Sequence, residues 1–63
     1  MSMFSTHYCI RDIYSGLYWN GLSPQLPEAW SREGVVRFFS RKSAERVKDG
    51  VLAGVRCEIE EDE

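Results

Sequence analysis

The sequence predicts an α+β domain: a small mixed or antiparallel sheet of about four strands with one helix packed on one face, in the order β-β-loop-β-α-β. Three observations predict it. Apolar and polar residues alternate with a period of two near both ends of the chain. In the run Val35-Val36-Arg37-Phe38-Phe39-Ser40 a cluster of β-branched and aromatic residues gives way to apolar spacings of three and four. Glycine, proline and asparagine punctuate the segments between. The 63 residues make one domain, residues 1–60, with residues 61–63 as an acidic tail. At this length only roughly 60% of the unfolded surface is buried on folding, so stability is modest.

The first strand runs from Phe4 to Asp12, with Tyr8 and Ile10 on one side and His7, Cys9 and Arg11 on the other. Ser15-Gly16 supplies the positive φ of a tight turn, and Leu17-Tyr18-Trp19 returns as a short second strand, Leu17 and Trp19 facing the core. Asn20-Gly21 turns the chain again. Pro24 and Pro27 then exclude regular pairing from a loop spanning about Gly21 to Gly34, which the indole of Trp30 anchors by burying its ring while its N–H finds a carbonyl.

Gly34 opens a third strand, Val35 to Phe39, whose two partly apolar faces suit an interior position. Ser40 is the N-cap of a helix that begins at Arg41. Its end has two candidates, Gly50 and Gly54. Because Val51 and Leu52 continue the apolar face begun by Ala44 and Val47, Gly54 is the favoured stop, with Gly50 tolerated inside the helix at about 1 kcal/mol. Val55, Cys57 and Ile59 then alternate with Arg56, Glu58 and Glu60 as a half-buried last strand. Were that strand parallel to the third, the helix would form a right-handed crossover. In either arrangement the second face of the sheet is left open.

Charge is distributed unevenly. The formal net charge is −2, but five of the ten acids, Glu58, Glu60, Glu61, Asp62 and Glu63, lie at the C-terminal end, and the remainder carries eight positive against five negative charges. The acidic end either folds over the basic helix start as a mask or simply keeps the protein soluble. No stretch approaches the roughly 18 apolar residues of a membrane span, and the N-terminus lacks the pattern of a secretory signal, so we expect a cytoplasmic protein with no membrane partner. Cys9 and Cys57 are too few and too far apart for a disulfide framework or a zinc site and are expected as reduced core thiols; no metal and no cofactor is expected.

Catalytic signatures are missing. The chain has no nucleophile elbow and no glycine-rich phosphate loop, which leaves a Cys9 or Cys57 thiol meeting His7 in space as the single route to an enzyme. A domain with so little depth for a pocket is better read as a binding protein. Two surfaces are candidates. Arg37, Arg41, Lys42 and Arg46 gather at the helix start, where positive side chains oppose the helix dipole and concentrate potential beside free N–H groups. The bland alternative is a solvated helix with Glu45 and Asp49 as partners. On the open sheet face Arg11, Arg37 and Arg56 line up with Tyr18 and Phe39, a mixture common in protein interfaces that would serve another protein or, equally, a homodimer of this chain.

Ile10-Arg11-Asp12, the hairpin Ser15-Gly16-Leu17-Tyr18-Trp19-Asn20-Gly21, the later Trp30 and the corner Arg37-Phe38-Phe39-Ser40 followed by Ala44 together resemble a group of small phage and prophage proteins. The resemblance spans roughly Tyr8 to Val47, and its motifs are mainly structural: a turn glycine, two packing tryptophans and a cap. It implies a phage or prophage origin and carries no set of catalytic residues. The function expected is that of a non-enzymatic accessory protein that binds a host or phage protein and modulates it, for instance by inhibiting a host enzyme or defence complex. The alternative is a small nucleic-acid-binding module using the basic helix start and sheet aromatics, which the net negative charge disfavours.

Overall fold

The computed structural model describes residues 6–62. Its strands are β1 (His7–Asp12), β2 (Tyr18–Trp19), β3 (Trp30–Ser31) and β4 (Cys57–Asp62), and its helix is α1 (Arg41–Asp49). The sheet is antiparallel throughout, in the order β3-β2-β1-β4, and α1 covers one face of β1 and β4. This is the expected α+β architecture, with the mixed arrangement excluded. Phe4, Ser5 and Glu63 lie outside the described residues.

The hairpin joining β1 to β2 is closed by Asp12. Its carboxylate accepts from the N–H and O–H of Ser15 at 3.2 and 2.7 Å, while Gly16, at φ +77°, donates to the Asp12 carbonyl at 2.9 Å. Beyond β2 the loop is fastened by two indoles. Trp19 Nε1 donates to the Leu22 carbonyl at 2.8 Å and Trp30 Nε1 to the Pro24 carbonyl at 3.2 Å, as expected of Trp30. A 3-10 turn at Pro27–Ala29 then delivers Trp30 to its register position opposite Trp19.

The third strand is therefore not Val35–Phe39. That segment is extended, but it meets two partners in succession: Val36 N–H donates to Trp19 O at 3.0 Å, and Phe38 exchanges both backbone bonds with Tyr8 at 2.9 and 2.8 Å. A ladder with either strand has no room to develop. Nor is the segment interior on both faces, since Val36 and Phe38 are half-buried against the core whereas Phe39 is 83% exposed.

Ser40 caps α1 as predicted, its Oγ accepting from Ser43 N–H at 3.2 Å. The helix stops at Gly50, four residues before the favoured Gly54. Gly50 N–H still reaches Arg46 and Val47, and Leu52 N–H returns to Val47 O at 2.9 Å, after which Gly54, at φ +86°, turns the chain into β4. The early stop rotates Leu52 into the core, where it is wholly buried, and leaves Val51 59% exposed. The core joins Ile10, Trp19, Ala29, Ala44, Leu52 and Cys57, with Tyr8, Val36, Phe38, Val47 and Ile59 packed around it.

β4 continues through Glu61 and Asp62, which pair with Tyr8 and His7. These two residues are strand, not solvated tail.

Leu52→Ala removes a buried side chain and is expected to cost about 2 to 5 kcal/mol in urea unfolding. Val51→Ala should change stability by about 0.5 kcal/mol or less. Equal losses at the two positions would contradict a helix that ends at Gly50.

Candidate functional site

The period of two that sends Ile10, Trp19, Cys57 and Ile59 to the core sends their neighbours to the opposite face of the sheet. Register then decides who meets whom there. Arg11 lies opposite Tyr18 on β2 and Glu58 on β4; Cys9 lies opposite Glu60, and His7 opposite Asp62. The result is a lattice of alternating sign. Arg11 Nη2 donates to Glu58 Oε2, Arg11 Nε sits 3.3 Å from Glu60 Oε1 without hydrogen-bond geometry, and the Tyr18 hydroxyl donates to the same Glu60 oxygen at 2.9 Å. Arg37 Nε stands 3.7 Å from Asp62 Oδ2.

These bonds have protonation consequences. The hydrogen bond to Glu58 raises the Arg11 pKa, and the hydrogen bond to Glu60 raises that of Tyr18, because each favours the protonated donor. Asp12, at the hairpin, is lowered by the hydrogen bond from Ser15. Its contribution is present above the ordinary carboxylate range and is lost as pH falls through the depressed value.

Between these side chains lies a shallow groove of about 460 Å³, floored by Cys9 and bordered by Tyr18, Arg32, Val35, Arg37, Glu60 and Asp62. On the same face the ring of His7, opposite Asp62, meets that of Phe39 at 5.5 Å. His7 and Cys9 thus share this face, while Cys57 belongs to the core on the other. Burial, reinforced by Asp62, pushes the Cys9 thiol upward. A nucleophilic cysteine needs the opposite shift.

Of the residues the sequence nominates, Arg11, Tyr18, Arg37 and Phe39 come together on the open face. Arg56 precedes β4, exposed, and its carbonyl accepts from Ile13 N–H at 3.3 Å. Arg41, Lys42 and Arg46 are exposed along α1, on the covered side of the sheet, with the Arg41 guanidinium 5.6 Å from the Tyr8 ring centre. Arg37 is therefore not part of the helix cluster but a partner of Asp62. Three of the C-terminal acids, Glu58, Glu60 and Asp62, stand among the sheet arginines.

Those three acids, with Arg32 and Val35, are the part of the face that sequence reasoning missed. The signal was present, because the alternation of Cys57 and Ile59 with Glu58 and Glu60 continues unbroken to Asp62. No family model, curated protein or solved structure matches the chain.

The Tyr18 hydroxyl should ionise above the ordinary tyrosine value of about 10. Because the folded value is the raised one, this bond contributes fully below about pH 10 and is lost as pH climbs through the folded value. The absorbance change at 295 nm, taken as the difference between the wild type and Tyr18→Phe, measures it. Glu60→Gln should bring the midpoint down; an ordinary midpoint in the wild type would contradict the bond.

Proposed function

We propose that this chain is a non-enzymatic accessory protein of phage or prophage origin that binds a host or phage protein and modulates it, using the open sheet face as its docking surface. The observation that carries the reading is the charge balance of that face. Each of its paired arginines already faces a carboxylate, Arg11 against Glu58 and Glu60 and Arg37 against Asp62, and an 83% exposed Phe39 stands beside them. Aromatic and arginine side chains set among carboxylates suit a protein surface of mixed sign. A phosphate backbone would meet three acids along with the arginines and would gain little from counterion release.

The raised thiol of Cys9 and the shallowness of the groove support binding over chemistry. Resemblance in the hairpin and in the strand-to-helix corner supports the phage origin, and with it action in the bacterial cytoplasm. Inhibition of a host enzyme or defence complex is the narrower form that we infer, because a domain this small modulates most simply by occupying a surface. Among the described residues no helix is long and apolar enough to cross a membrane.

Capture of a bacterial lysate on the tagged protein, with and without nuclease, tests the proposal. A stoichiometric protein that survives nuclease and is lost from a folded Tyr18→Ala/Arg37→Glu variant is expected. Retention abolished by nuclease, or unchanged by the variant, would overturn it.

A further inference from the structure

β4 ends the sheet, and among the described residues no strand pairs with its outer edge. Ladder parity identifies the backbone groups that this edge offers. Tyr8 exchanges both of its bonds with Phe38, and Asp12 N–H donates to Leu17 O at 2.8 Å, so the even-numbered residues of β1 aim at the β2 side. His7, Cys9 and Arg11 then aim at β4, where they meet Asp62, Glu60 and Glu58. Alternation leaves Cys57, Ile59 and Glu61 with N–H and C=O groups directed away from the sheet.

The same three residues carry their side chains on the helix side, and a groove of about 510 Å³ runs there between β4 and α1. Arg41, Glu45, Lys48 and Asp49 form its helical wall, spaced as one face of a helix requires, and Cys57, Glu58 and Ile59 form its strand wall. An unpaired edge beside a helix-walled groove is the arrangement that accepts an added strand: the edge supplies main-chain bonds and the groove takes alternate side chains.

Charge selects the occupant. Glu45, Asp49 and Glu61 are exposed acids with no ion-pair partner among the described residues, and Glu58 and Glu60 share Arg11 between them. Against this surplus stand Lys48 and an Arg41 already leaning on Tyr8. A second copy of the chain would set the acids of β4 against themselves, the means by which edge strands are kept apart.

We propose that the outer edge of β4 and the adjoining groove bind an extended peptide segment with lysine or arginine at alternate positions and small apolar residues between them, added as a fifth strand. Ile59 and Glu61 supply the central main-chain bonds, the lysine or arginine side chains enter the groove with their aliphatic stems along Cys57 and Ile59 and their cations at Glu45, Asp49 and Glu61, and the small apolar residues between them project to the other side of the sheet. This surface is separate from the open face and does not depend on the function proposed for that face.

The test titrates the isotopically labelled full chain with a ten-residue peptide of alternating lysine and valine, and with its counterpart carrying glutamate for lysine. Expected are saturable shifts and slowed solvent exchange at the Ile59 and Glu61 amides, with the glutamate peptide about tenfold weaker or worse. Glu61→Pro deletes an outward N–H while sparing the β1 ladder, and should weaken the lysine peptide by up to about tenfold. Glu45→Lys/Asp49→Lys, on the exposed side of α1, should weaken it as well. Equal affinity for the two peptides, shifts confined to Tyr18, Arg37 and their neighbours, or pairing of two copies through β4 would each overturn the proposal.

Discussion

Ile10 is wholly buried, and the strand that carries it is bonded along both edges. On one side β1 runs in continuous register with β4 from His7 opposite Asp62 to Asp12 opposite Cys57. On the other it meets Tyr18 at Arg11 and Phe38 at Tyr8, two pieces of chain separated by the whole indole-pinned loop. Satisfying both edges of β1 dictates the rest. The chain has to leave β2 after Trp19, fold Trp30 back against it, and return through Val36 and Phe38 before it can start a helix. With one strand central to so few others, burial of Ile10 and Leu52, each worth about 1.5 to 3 kcal/mol, holds a large share of a small stability.

The two faces of β1 divide the labour. The face with Tyr8 and Ile10 is apolar and is spent on packing under α1. The face with Cys9 and Arg11 is polar, solvent-facing and cross-linked by carboxylates that arrive from the far end of the chain. Exposed ion pairs of this kind contribute little to stability individually. Their consequence is electrostatic: a sheet that would otherwise present bare arginines presents both signs at close spacing, and Glu58, Glu60 and Asp62 are part of that surface instead of an appendage to it.

Much of this frame is legible in the residues because the deciding signals are local. Ser15-Gly16 marks the hairpin, Ser40 the cap, and the alternation from Cys57 onward the last strand. What escapes is set by partners distant in sequence. Val35–Phe39 has strand composition, yet its backbone bonds are divided between Trp19 and Tyr8, a division that composition does not encode. Trp30–Ser31 forms a strand of two residues, too short to show a period. The stop at Gly50 is chosen by whether Val51 or Leu52 fills the space beneath α1, and both residues fit the helical pattern. The open sheet face is half legible for the same reason: its arginines and aromatics stand out by type, whereas the carboxylates that neutralise them join it only through the β1–β4 register.

Hydroxyl-radical footprinting of the protein bound to its captured partner reads the side chains of the open face directly. His7, Tyr18 and Phe39 are expected to lose most of their labelling in the complex, while Tyr14 at the hairpin tip and Val51 beyond α1 keep theirs. Unchanged labelling of Tyr18 and Phe39, with protection confined to the α1 side, would contradict the assignment of the charge-balanced sheet face as the docking surface.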